Sequence, residues 1–278
     1  MGDYLKLIEQ FELSRGIVTA GLLMSRILGM IWLAPFLGGK LVPNQVKIGV
    51  ALAVGVLLYP AVASSGDFDL LYTGKSIYPF GLRLGGYVLK EVFIGVLLGF
   101  IIMTIWYAAE MAGSFVDTAR GSSMGKALVP QMGSQVSQLA SLYYQLLIII
   151  FLAIDGHLLF IGIFAESYQL IPVISIPNIN TEMWPFFDNV IRLTANLFLI
   201  SLKLAAPVMI AIFVTDVCMG LFNKVAPQIN VLFLMMPFKA ILGVLFSMLA
   251  LYLFVQKSEE MMYFLLDQLR SGIHQLKP

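Results

Sequence analysis

The sequence predicts an all-α polytopic membrane protein of broken helices and helical hairpins, and three observations lead there. Only 12% of the 278 residues are charged, against roughly 25% in soluble globular proteins. Hydrophobic side chains make up 59% and the mean hydropathy is +0.90, more apolar surface than a water-soluble globule of this length can hide. The apolar residues gather into six runs, at 16–37, 46–63, 87–109, 136–165, 193–222 and 228–256. Each approaches or exceeds the roughly 20 residues that cross a hydrocarbon core. Low charge with high hydrophobicity excludes a disordered chain. A formal net charge of +1 offers no basic patch for nucleic acid, so lipid is the expected solvent and nucleic acid is not an expected partner. The single Cys218 forms no intrachain disulfide and lacks the Cys/His company of a zinc site. It reads as a small buried apolar residue.

The first run is interrupted by Arg26 and preceded by Asp3, Lys6, Glu9, Glu12 and Arg15 without a small-x-small cleavage pattern, which argues against a removable signal peptide. The second lies among Pro35, Pro43 and Pro60. In the third, Glu91, Gly95, Gly99, Ile102, Trp106, Glu110, Gly113 and Asp117 follow one another at steps of four or three. At about 100° per residue they fall within one arc of roughly 100°, a stripe of small residues and carboxylates on an otherwise apolar helix. Two readings stand: close helix packing with locally satisfied acids, or a helix lining a conduit or subunit interface. With no cation on the stripe itself, the acids are expected to find partners on other chains.

A glycine-rich charged segment follows, Arg120-Gly121-Ser122-Ser123-Met124-Gly125-Lys126, ahead of Pro130 and Gly133. It reads as a flexible internal loop. Its Gly121-x-Ser123-x-Gly125, with Asp155 and His157 downstream, matches the order of a hydrolase triad, but the strand-turn-helix that a nucleophile elbow needs is not predicted. A phosphate-binding P-loop pattern is absent. In the fourth run, Asp155-Gly156-His157 marks a helix break, with a proton relay as the functional alternative. The loop 166–192 carries Glu166, Glu182 and Asp188 but only Arg192, whereas 40–47 and 75–90 carry five basic residues between them. The positive-inside tendency therefore turns 166–192 away from the cytoplasm.

The last two runs contain Lys203, Pro207, Asp216, Pro227 and Pro237, and proline at this density implies kinked helices. From Lys257 onward Met262, Leu266, Leu269, Ile273 and Leu276 recur at helical spacing. This amphipathic helix over 257–278 suits a membrane surface or a partner subunit.

Together these residues resemble the FliR/SctT family, export-apparatus membrane proteins of flagellar and injectisome type III secretion systems. The resemblance is carried by Ala34-Pro35-Phe36-Leu37-Gly38 with Pro43 and Lys47, and by Glu91 with Gly95 and Gly99. It continues through Glu110-Met111-Ala112-Gly113, Asp117, Arg120-Gly121, Asp155-Gly156-His157 and Ser167-Tyr168 before Pro172. Its most specific block is Ala206-Pro207, Asp216, Gly220 and Ala226-Pro227-Gln228-Ile229-Asn230-Val231 ahead of Pro237 and Lys239.

The resemblance implies a subunit without catalysis or cofactor, in the bacterial inner membrane, its assembled core projecting to the periplasmic side. It implies assembly with FliP/SctR-type, FliQ/SctS-type and FlhB/SctU-type subunits around unfolded secreted substrates. It divides the chain into a FliP-like portion (1–190), a FliQ-like hairpin (191–256) turning near Ala226-Pro227-Gln228, and the terminal helix. The segment 115–131, with Phe115, Asp117, Arg120, Gly121, Met124, Gly125, Lys126 and Pro130, corresponds to an internal plug. Lys203, Pro207, Asp216, Gly220, Lys224, Pro227, Gln228, Asn230 and Lys239 are expected at subunit interfaces, where a neighbour supplies counter-charges for the ionic ones. Asp117 with Arg120-Gly121, and Glu166-Ser167-Tyr168, look closer to injectisome members. Two rivals are a secondary transporter using intramembrane acids and, more distantly, an intramembrane hydrolase.

Overall fold

A computed structural model describes residues 2–38, 42–65, 80–122, 137–174, 184–228 and 231–275. These form helices α1 (Gly2–Leu33), α2 (Pro35–Gly38), α3 (Asn44–Ser65), α4 (Phe80–Ala119), α5 (Gln138–Ala153), α6 (Gly156–Leu170), α7 (Trp184–Val225) and α8 (Val231–Gln275). There is no strand among the described residues. Five of the helices are long and apolar enough to cross a membrane, or six spans if α5 and α6 count as one broken span.

Local chemistry sets the boundaries. Pro35 opens α2, where its missing N–H costs nothing, and α3 starts after Pro43, whose carbonyl accepts from the Val46 and Lys47 amides. Pro60, Pro207 and Pro237 sit inside helices, each removing one ladder bond. The 40-residue α4 contains no proline and runs uninterrupted. It ends at Ala119 because Gly121 takes a left-handed φ of +86°, the conformation that terminates helices. Phe115 and Asp117 therefore lie on a helix and not in the expected loop.

Two compact units interleave along the chain. The first comprises Met1–Met103, His157–Ile191 and Leu265–Pro278; the second comprises Thr104–Gly156 and Arg192–Phe264. In the first unit, α1 and the N-terminal half of α4 cross at glycines. A Cβ at Gly29 would lie 2.8 Å from the Val92 carbonyl oxygen, one at Gly99 2.8 Å from that of Met30, and one at Gly95 would run into the Arg26 carbonyl. Lipid gives helices no hydrophobic reason to associate, so such close backbone approach supplies the packing energy. Phe160 meets Phe36 edge-on and Phe164 meets Tyr168 likewise, at centroid distances of 5.3 and 5.5 Å.

In the second unit Trp106 packs edge-on against Phe151 at 5.2 Å and Tyr143 stacks on Phe254 at 4.4 Å. Gly113 lies against the backbone of Ala140 at the start of α5. The stripe predicted on α4 is the buried face of that helix, with Glu110 half-buried and the other seven positions buried. The chain's own helices cover it at Gly95, Gly99 and Gly113, so the packing reading holds there and not the conduit reading.

Two further expectations are corrected. Helix α8 continues through residue 257 without a break, and the apolar face of its last turns is buried in the chain's own first unit, with Leu269 and Ile273 each 1% exposed. That part of the tail's apolar face is thus covered by the chain itself. Cys218 is exposed, because none of the described residues covers that side of α7. In the apolar windows of the long helices, 61% of α4 is buried against 28% for α7 and 22% for α8, leaving the last two helices mostly uncovered.

Candidate functional site

The first unit contains a buried polar node. Arg26 and Glu91 are both 0% exposed and meet as a fork, Arg26 Nε donating to Glu91 Oε2 at 2.6 Å and Nη2 to Oε1 at 3.0 Å. Nη1 donates to Ser167 Oγ at 3.1 Å, and Nη2 also donates to the Ile171 carbonyl at 2.9 Å. The guanidinium carbon lies 4.1 Å from the centroid of the Tyr168 ring, within cation–π range, while Tyr168 Oη donates to the Leu23 carbonyl at 3.1 Å.

Lys90 adds a second cation, 2.7 Å from Glu91 Oε1, and donates to the carbonyls of Pro172 and Val173 at 3.1 and 2.7 Å. Two cations thus share one carboxylate and place their remaining charge on carbonyls just past the C-terminus of α6, the negative end of that helix. A charge in an apolar span is tolerable only with partners of this kind. The partner of Glu91 is therefore in its own chain and not, as expected, on another.

The second unit holds a smaller node where the chain enters and leaves the 123–136 segment. Asp117 pairs with Arg120 at 2.7 Å. Its Oδ2 also accepts from Ser137 Oγ at 2.5 Å and from the Leu139 amide at 3.0 Å. Ser137 in turn caps α5, accepting from the Ala140 amide at 3.2 Å. A carboxylate at a helix N-terminus gains from the dipole as well as from the otherwise unpaired amides. Arg120 lays its stem on Gly243, where a Cβ would come within 2.9 Å of the Arg120 Cβ. Met124, Gly125, Lys126 and Pro130, and Ser123 with them, lie outside the described residues.

Of the acids on α4, Glu110 alone has no ion-pair partner among the described residues. Asp155 turns the chain between α5 and α6 with φ +56°, its side chain exposed. Gly156 follows because a Cβ there would lie 2.5 Å from the Phe151 ring. His157 is half-buried, its Nδ1 enclosed without a hydrogen-bond partner among the described residues. Asp216 and Lys239, expected to find counter-charges on neighbours, find each other at 2.5 Å. Their two helices carry them to the same level of the hairpin. Lys203, Pro207, Gly220, Lys224, Pro227 and Gln228 are exposed, and Asn230 lies outside the described residues.

Sequence reasoning missed the roles of Ser137, Lys90 and Ile171, and it used Ser167 and Tyr168 only as marks of family likeness. Ser137 directly before an apolar helix is a readable N-cap signal. The others depend on long-range pairing. Among the described residues no group of three or more His, Cys, Asp or Glu is placed to hold a metal.

Residues 17–264 match the family described as bacterial export proteins, family 1. The chain belongs to this family, the FliR/SctT proteins of type III secretion. It is 32% identical over 234 residues to Yop proteins translocation protein T of Yersinia pestis, covering 82% of this chain and 84% of that one. It is 26% identical to the secretion system apparatus protein SsaT of Salmonella typhimurium over 92% of this chain and 97% of the relative. The flagellar biosynthetic protein FliR of Bacillus subtilis is also 26% identical, over 78% and 80%. With its apolar spans, this FliR/SctT member is an all-α, multi-pass membrane protein.

Proposed function

We propose that the chain is a structural and gating subunit of a type III export gate, without catalysis of its own. It assembles in the inner membrane with FliP/SctR-, FliQ/SctS- and FlhB/SctU-type subunits, passes unfolded secreted proteins, and projects its assembled core toward the periplasm. The observation carrying this reading is the family match over residues 17–264. The uncovered apolar surfaces of α7 and α8, with Phe198, Phe213, Phe233 and Ile241 between 66 and 74% exposed, supply area for neighbouring chains.

The FliP-like portion is 1–190, the FliQ-like hairpin 191–256, and the exposed Lys203, Pro207, Gly220, Pro227 and Gln228 sit at subunit contacts with Asn230. Segment 115–131 acts as the plug. Asp117 supports this by tying Ser137 and Leu139, which follow the segment's far end, to the helix where it begins. An injectisome role is favoured over a flagellar one, supported by 32% identity to the Yersinia translocation protein beside 26% to the Bacillus flagellar protein.

Purifying the tagged full chain from its native membrane tests the assembly: partner export subunits co-purify under this reading, whereas a secondary transporter comes out alone or as a homo-oligomer. Deleting residues 123–130 in an intact complex raises ion leakage, and unchanged leakage overturns the plug assignment.

A further inference from the structure

We infer that Glu110, with Tyr107 and Tyr144, forms an open socket in the second unit for an arginine or lysine side chain of a neighbouring export-gate subunit. The inference rests on the heteromeric reading above and names one of its contacts.

Three observations converge. Glu110 sits on an apolar spanning helix, half-buried, and no cation among the described residues pairs with it. A carboxylate in such a span requires a partner or a wet cavity. Tyr107 lies one turn before Glu110 on α4, and α5 packs antiparallel on α4 through Gly113 against Ala140 and Trp106 against Phe151, which brings Tyr144 to the level of Glu110, so two tyrosines accompany the acid. Tyr107 is 42% exposed, which leaves the group open on one side.

A carboxylate beside aromatic faces is a recognition set for a cation: the carboxylate supplies charge and hydrogen-bond acceptors, the rings their quadrupoles. The chain itself contains a filled version of this set. Glu91, on the same helix, holds Arg26 in a fork while the guanidinium lies over the Tyr168 ring at 4.1 Å. Glu110 presents the same chemistry without the guanidinium. The surroundings are apolar, with Leu142 41% and Ile149 61% exposed on α5, and they favour a side chain that arrives already fixed on a packed neighbour. An exported unfolded chain passes through and cannot keep one cation in place.

The test uses the full chain co-expressed with its partner subunits. Tyr107→p-benzoylphenylalanine is photo-activated in the assembled complex, and the cross-linked peptide is identified by mass spectrometry. Separately, Glu110→Gln and Glu110→Lys are compared with wild type for partner retained per chain in the membrane. The expected result is a cross-link to a partner subunit next to an Arg or Lys, and a loss of retained partner of at least about tenfold with Glu110→Gln. Reversing the identified cation to Glu then rescues Glu110→Lys. A cross-link only to secreted substrate or to lipid, or wild-type partner retention by Glu110→Gln, overturns the socket while leaving the heteromeric reading in place. A wild-type chain that retains no partner overturns both.

Discussion

Arg26 and Glu91 stand 65 residues apart in sequence and meet in a two-point fork to which no solvent has access. Either residue alone is a liability in an apolar span. Together, with Ser167, Tyr168 and the Ile171 carbonyl, they tie α1, α4 and α6 into one body. Removing Glu91 strands the buried Arg26 charge, at about 3–5 kcal/mol, and frees Lys90 as well, whereas removing Arg26 leaves Glu91 with Lys90 and is milder. Glu91→Leu is expected to lower detergent thermostability and membrane abundance sharply and Arg26→Leu less so, and the double variant to recover only part of the Glu91→Leu loss, since Lys90 is still left without its carboxylate. Arg26→Lys fails as well, because an ammonium cannot reproduce the fork.

The α1–α4 crossing makes a second prediction. Gly95→Ala drives a methyl into the Arg26 carbonyl and should cost about 1–3 kcal/mol as overpacking. Gly49→Ala, on α3 with no described residue within 4 Å of its would-be Cβ, should instead gain about 0.5–1 kcal/mol of helix stability. Thermal unfolding of the two variants in the same detergent reads the opposite signs.

At the second node, Ser137→Ala removes the cap of α5 and should destabilise by about 1 kcal/mol. Asp117→Ala should cost more, since it also leaves Arg120 without its carboxylate and frees the Leu139 amide. Because Ser137 donates to Asp117, the two losses should be less than additive. A double-mutant cycle read by limited proteolysis near residues 123–136 checks this.

Asp155 holds a left-handed backbone at φ +56°. Asp155→Gly should relieve about 1 kcal/mol of strain, and Asp155→Val should add to it, since a β-branched residue is a poor occupant of that region. Thermal stability of the purified chain in complex gives the order Gly, Asp, Val.

Spans and breaks were legible because hydropathy and helical period are local properties: the six runs, the buried stripe of α4 and the turn at Asp155 follow from neighbours in sequence. The counter-ions were not. Arg26 and Glu91 lie in separate apolar runs, and nothing in either run points to the other. Asp216 and Lys239 were readable in principle, since a hairpin turning near Pro227 brings positions of about equal distance from the turn face to face. The end of α4 was misplaced for a different reason: Gly121 was read as loop flexibility when it is the left-handed residue that stops a helix. The terminal helix was assigned to a foreign surface because amphipathicity reveals an apolar face without saying what covers it. Here Glu166 takes Arg270 at 3.2 Å and His274 at 3.0 Å, and Asn189 meets Gln268 at 3.3 Å.

The order of Arg26 and Glu91 along the chain also bears on how the protein is made. Arg26 emerges from the ribosome first, and at about 5–20 residues per second its counter-ion, 65 residues later, follows after roughly 3–13 s. During that interval α1 carries an unmatched guanidinium at a cost of about 2.5–3.5 kcal/mol for entry into lipid. The first helix should therefore wait at the insertion machinery and enter with α4 as a pair, so that Glu91→Leu delays membrane insertion of α1 itself, a segment translated long before the altered codon is read.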